Sequence, residues 1–382
     1  MVVKISSLFE VYKIRMQFVL KSSRSLLIFL LFVAQPINAV VVEDLYLATV
    51  ITKGQSDAQR RKDAAEGLLQ VLVRVSGRAD IESNPIIAGA LRKPESYYSE
   101  FSYVDQLEDS SNSEQDASGI ELIASEEPQR PSQVMRIRFE PSLVSKLLRA
   151  AELPVWGSNR PAVLSWMAIR EVDSRVVIGA ETPVPFAEDV IKAASQRGVP
   201  LLLPLWDLED TQMISSSEIW GRFMDRIESA SERYSPDKIL VFRAEAPYLN
   251  EWQGEWSLGE AGRWRGGTVY GSDQSELAQA LVNAIAIALS DQYGVGSMRS
   301  EVMLTVEGIT NAERYAAVSK YLEGLTQIVS VQPVRVYSDI VAFKLRSEGE
   351  VQQIVDVIEL DRQLSLLRQD EGTAMLWYRW IP

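Results

Sequence analysis

Cysteine and histidine are both absent from this chain of 382 residues. Without cysteine there are no disulfides, thiolate nucleophiles or thiolate metal sites. Without histidine the usual general base at neutral pH and the commonest zinc ligand are missing. The chain must therefore fold on apolar cores alone, and its 46% apolar composition is ample for that. Serine–histidine–aspartate, cysteine–histidine and zinc-hydrolase chemistries are excluded. Carboxylate-pair glycoside hydrolysis, serine–lysine acylation and all-oxygen calcium or magnesium sites stay open.

Residues 1–39 have the order of a secretory signal. Lys21 and Arg24 precede an apolar run from Leu26 to Ala34, Pro36 breaks it, and Ile37-Asn38-Ala39 offers a small residue for cleavage. The run falls short of the roughly 20 residues a membrane crossing needs, so cleavage is expected over a retained anchor. Met16 reads as a more natural start than Met1. The segment carries a net +4 from Lys4, Lys13, Arg15, Lys21 and Arg24 against Glu10. Its removal takes the formal charge from −13 to −17. Nucleic acid and anionic lipid need a basic surface, so both are disfavoured as partners. The expected location is the periplasm, and the protein is not expected to be integral to the membrane unless the signal persists as an anchor.

The expected fold class is α/β and α+β, divided over three modules. Residues 40–153 read as a β-α-β-β-α module. It has a strand over Glu43–Thr52 and a helix carrying Ala64, Ala65, Leu68, Leu69, Leu72 and Val75 on one face. Further strands are expected over Phe101–Leu107 and Val134–Phe139, then a helix with Leu143, Val144, Leu147 and Leu148 facing inward. Residues 108–132, rich in serine and acid, read as a flexible insertion between those strands.

Residues 154–293 read as an α/β sandwich with a mixed sheet. Ala162–Ile169 is apolar almost throughout and should be central. Buried strands are expected over Val199–Leu205 and Lys238–Ala244. A capping box, Ser215 with Glu218, should open one helix carrying Ile219, Phe223, Ile227 and Ala230. Trp252–Leu258 and Arg263–Tyr270 form a hairpin, and Asp273 caps a long helix. Residues 300–382 follow the order β-α-β-β-α-β of a ferredoxin-like module.

Several stretches resemble an uncharacterised proteobacterial family, domain of unknown function 2066. They are Leu72-Val-Arg-Val-Ser-Gly-Arg78, Leu153-Pro-Val-Trp-Gly-Ser-Asn-Arg-Pro161, Arg197-Gly-Val-Pro-Leu-Leu-Leu-Pro-Leu-Trp-Asp-Leu-Glu-Asp210 and Ser229-Ala-Ser-Glu-Arg-Tyr234. The Trp252–Trp264 hairpin fits as well. The resemblance implies an envelope protein and brings no activity with it. In architecture alone, the first two modules are similar to the flagellar ring-assembly protein. The second is similar to the amino-terminal domain of TolB and to the periplasmic domain of the curli secretion channel. Fold analogy of this kind does not fix function.

Four sets of residues are candidate sites. Asp207, Glu209 and Asp210 follow a buried strand, where three carboxylates can hold calcium or magnesium, or else cap the next helix. Trp252 and Trp256 share a strand face, with Trp264 on the facing strand; together they offer a platform for sugar rings, or else cover the core. Trp156 and Arg160 lie in a Gly/Asn/Pro turn, where Arg160 contacts a ligand or is tied to carbonyls within a rigid join. Glu251 and Glu255 would serve a hydrolase only if they faced one pocket about 5–9 Å apart. Arg265-Gly-Gly-Thr268 lacks the spacing of a phosphate loop, and no cofactor is implied. The expected role is a non-enzymatic scaffold or adaptor binding another envelope protein. The alternatives are a peptidoglycan-binding module and a carboxylate-dependent hydrolase.

Overall fold

The computed structural model describes residues 40–42, 44–105, 133–170, 174–248, 251–260, 262–296, 299–370 and 373–381. The expected signal, 1–39, and the acidic insertion, 108–132, lie outside them. The fold is mixed α/β and α+β, and Asn38–Pro382 forms one compact unit.

Strand β1 (Val40–Val41) precedes β2 (Leu47–Thr52), α1 (Asp57–Ser76), α2 (Pro85–Leu91), β3 (Tyr98–Asp105), β4 (Gln133–Phe139) and α3 (Pro141–Ala150). The three longer strands form an antiparallel sheet in the order β2-β4-β3. Ser56 starts α1 by accepting from the Gln59 amide, and Gly77 ends it in the left-handed region at φ 68°. Helix α1 buries Ala64, Leu68, Val71, Leu72 and Val75 against this sheet. In β2 the inward set is Ala48, Val50 and Thr52, with Leu47 half-buried. One detail departs from expectation. Leu143 stays exposed, because α3 turns only Val144, Leu147 and Leu148 inward.

The second region starts with β5 (Asn159–Arg160), which pairs with β1 and so ties the chain ends of the first module together. There follow β6 (Val163–Arg170), β7 (Arg175–Ile178), α4 (Pro185–Arg197), β8 (Leu201–Leu202), α5 (Leu208–Met213), α6 (Ser216–Gly221) and α7 (Met224–Ser231). Strands β9 (Lys238–Tyr248), β10 (Glu251–Glu260) and β11 (Arg263–Gly271) lead to α8 (Gln274–Tyr293). The sheet runs β11-β10-β9-β6-β7, with β6 parallel to β9 and, off the main path, to β8. The expected strand over Val199–Leu205 shrinks to β8, because Pro200 and Pro204 bracket it and cannot donate to a ladder. The expected single helix after Ser215 is two. Arg222, at φ 56°, breaks it between α6 and α7 and leaves Phe223 exposed.

The third region is β12 (Arg299–Glu307), α9 (Ala312–Gly324), β13 (Ile328–Tyr337), β14 (Ile340–Glu348), α10 (Val351–Asp361), β15 (Leu364–Asp370) and β16 (Met375–Trp380). Its sheet order, β13-β14-β12-β16-β15, contains the β-α-β-β-α-β arrangement. Strand β15, which pairs outside β16, is an addition that the sequence reading lacked. One apolar cluster runs unbroken from α4 and α8 into β12, β14, α10 and β16, so the second and third regions share a core. Among the described residues no helix is long and apolar enough to cross a membrane.

Candidate functional site

All three regions meet at the turn Leu153–Arg160. Trp156 and Arg160 are fully buried there, with the guanidinium stacked 3.8 Å over the indole ring. All five N–H groups of Arg160 donate to carbonyls. Nε meets Gly157 O, Nη1 meets Arg197 O and Gly198 O, and Nη2 meets Arg74 O and Trp156 O, at 2.7–3.1 Å. Arg197 answers across the same join with Val73 O, Gly77 O and Arg78 O. These carbonyls belong mostly to the C-terminal ends of α1 and α4, where the helix dipole favours a cation. Burial pushes the Arg160 guanidinium down to about 9 and that of Arg197 to about 10, so both remain charged at neutral pH. Arg160 therefore has no donor left for a ligand, and the ligand contact considered for Arg160 and Trp156 is replaced by a structural lock.

One residue earlier, the same turn faces something different. Asn159 sits at the wall of a cavity of about 480 Å3 between the turn, the end of α8, and α9, α10 and β16. Gly157 permits this closeness, since a Cβ there would lie 2.2 Å from the Thr326 hydroxyl. Asn159 donates to Asp361 at 2.8 Å, and Gln327 donates to the Tyr293 carbonyl at 3.3 Å. The amide oxygens of both, Asn159 Oδ1 and Gln327 Oε1, are buried without a hydrogen-bond partner. Burial raises the pKa of Asp361, with Tyr321 and Asn159 pulling the other way. The Tyr321 hydroxyl lies near enough to that carboxylate to affect its ionisation but makes no hydrogen bond of acceptable geometry. Burial and the carboxylate together keep Tyr321 protonated. An apolar cavity with a few convergent polar groups has the usual form of a small-molecule site.

The acidic triplet closes on itself. Arg233 meets Asp207 at 2.9 Å and Asp210 at 3.0 Å, and approaches Glu209 at 3.5 Å. Asp210 is fully buried and also accepts from the Tyr234 hydroxyl at 2.6 Å and the Trp206 amide at 2.8 Å. Asp207 caps α5 through the Asp210 amide. Hydrogen bonds from Arg233 and that amide lower the Asp207 pKa to about 2. Of the two readings these acids left open, the geometry matches the helix cap: their oxygens serve Arg233 and the start of α5, and no group of three that could hold a metal ion occurs among the described residues.

The tryptophan platform is also divided. Trp252 and Trp256 pack toward the α8 side, whereas Trp264 packs with the cluster beneath α6 and α7 on the opposite face. Register explains this: Trp256 opposes Gly267 and Trp264 opposes Gly259, so each ring lies over a glycine on a different side. The acid pair fares no better. Glu255 is held by Arg243 at 3.0 Å and Arg222 at 3.5 Å, while Glu251 is exposed at the strand end.

A surface feature missed in the sequence lies at the sheet edge of the third region. Strand β13 is a terminal strand, and Val329, Val334, Val336 and Tyr337 on it are 58–75% exposed. Alternation predicted the strand but could not tell an edge from a centre. The cavity residues, drawn from five separated stretches, share no spacing that would have marked them.

One family model, described as Domain of unknown function (DUF8605), matches residues 39–157, a stretch ending within the Trp156–Gly157 turn. This corrects the sequence reading: the match is to that family and not to domain of unknown function 2066. The likenesses to the flagellar ring-assembly protein, TolB and the curli channel gain nothing from it and are set aside. No curated protein matches the chain.

Proposed function

We propose that this chain is a non-enzymatic adaptor of the bacterial envelope that takes up an extended segment of a partner protein along β13. The observation that carries the reading is the edge strand itself, ten residues long, with four large apolar side chains turned to solvent. A terminal strand presents a row of unpaired amides and carbonyls, and strand addition is a common mode of peptide recognition. Pro333 and Arg335, with the register shift between them, break the edge into two shorter stretches. Such devices limit self-association, so Val334–Tyr337 is the part suited to a selective partner. The envelope location is supported by the signal-like order of residues 1–39. The glycan and hydrolase alternatives lack support, given the divided tryptophans and the arginine-bound Glu255.

A photo-crosslinking residue placed at Val336 in cells tests this, with the exposed Leu208 as the control position. The reading expects discrete adducts with envelope proteins at Val336 and none of them at Leu208. Identical adducts at both positions, or adducts with cytosolic proteins alone, would contradict it.

A further inference from the structure

The cavity at the join has a chemistry that the adaptor reading does not use, and the inference drawn from it stands independently. Three observations constrain what fits. Asp361 is a half-buried carboxylate whose described contacts are a neutral amide and a tyrosine; among the described residues no lysine or arginine forms an ion pair with it. Two buried amide oxygens, Asn159 Oδ1 and Gln327 Oε1, await donors. The remaining wall includes the rings of Tyr293, Tyr321 and Trp380. A carboxylate and aromatic faces both attract cations, and unpaired carbonyl oxygens ask for N–H groups. An anion or an acceptor-only molecule meets none of these demands. A quaternary ammonium meets the first two but supplies no N–H.

We propose that the cavity binds a small primary amine with an apolar body, its ammonium set beside Asp361 and Asn159 and its body among Tyr293, Tyr321 and Trp380. The cavity of about 480 Å3 is of the size that takes up metabolite-sized ligands. Lys320 lines the same cavity but is solvent-exposed, so its charge is screened by water. The raised pKa of Asp361 agrees with the assignment, since a half-buried carboxylate with no ion-pair partner among the described residues gains from acquiring a cation.

Calorimetric titration of the full chain tests it, using 2-phenylethylammonium and the neutral 2-phenylethanol as probes. The ammonium should bind at least about tenfold more tightly than the alcohol. Asp361→Asn should bring that ratio close to one, chiefly by weakening the ammonium. Ala317→Phe, on the exposed α9 wall of the cavity, keeps the carboxylate and should weaken both probes. It carries the test if Asp361→Asn does not fold. Equal affinity for the two probes, a ratio unaltered by Asp361→Asn, no binding to the natural chain at millimolar concentration, or undiminished binding to Ala317→Phe would each overturn the assignment.

Discussion

Asn159 and Arg160 are neighbours in one short strand, yet they face opposite conditions. Arg160 is buried with every donor matched to a carbonyl, so a cation that would be costly in isolation becomes the lock between α1, α4 and the turn. Asn159 also leans on a partner, Asp361, but its oxygen is left over, and among the described residues no lysine or arginine pairs with the carboxylate it touches. Full matching makes a join rigid. Partial matching beside a cavity leaves a capacity that only a ligand or water can fill. The same distinction separates the Arg233 cluster, where the acids are answered, from the β13 edge, where the backbone is not.

Breaking the matched side should have the largest effect. Arg160→Met leaves five carbonyls without their donor and should cost roughly 3–5 kcal/mol, read from urea unfolding at pH 7. Arg160→Lys, with three donors, should fall between Met and the natural residue. Gly198→Ala comes next. Its φ of 63° is unfavourable for a side chain, and the new Cβ would lie 2.7 Å from Arg160 Nη1. A loss of about 1–3 kcal/mol is expected in the same assay.

A smaller, pH-dependent effect belongs to the Arg233 cluster. The folded-state pKa of Asp207 lies near 2, below its ordinary 3.8. A depressed carboxylate contributes stability above its unfolded pKa and loses it as pH falls through the folded value. The contribution of Asp207 should therefore fade between about pH 4 and pH 2. Arg233→Gln should flatten that part of the stability profile while leaving the β6 core intact. An unchanged slope in Arg233→Gln would show that the Asp207–Arg233 contact has no part in acid unfolding.

Local signals carried much of the fold in the sequence. The Ser215–Glu218 box, the Asp273 cap and the apolar run of β6 act through neighbours in the chain, so they were legible. What failed depended on distant partners or on backbone geometry. The left-handed Arg222 splits a pattern that looked continuous, and β15 pairs only because β16 offers its edge. The aromatic platform failed on register, since facing tryptophans need matched cross-strand positions and here each is matched with glycine. Of the candidate residues, Trp156 and Arg160 pointed to the right place for a structural reason. The cavity beside them is made by Asn159, Tyr321, Gln327, Asp361 and Trp380, which only the packing of the third region brings together.

The contrast between the two sides of the turn comes down to Asp361→Asn, compared with the natural chain by urea unfolding at pH 7 and below pH 4. Burial raises the pKa of Asp361, so its favourable contribution is present below the unfolded pKa and is lost as pH rises through the folded value. An amide in its place should make the protein as stable as the natural chain or slightly more so at pH 7, with the difference closing below about pH 4. A loss at pH 7 comparable to that of Arg160→Met would mean that Asp361 is a matched structural group, and would contradict the distinction between lock and binding wall.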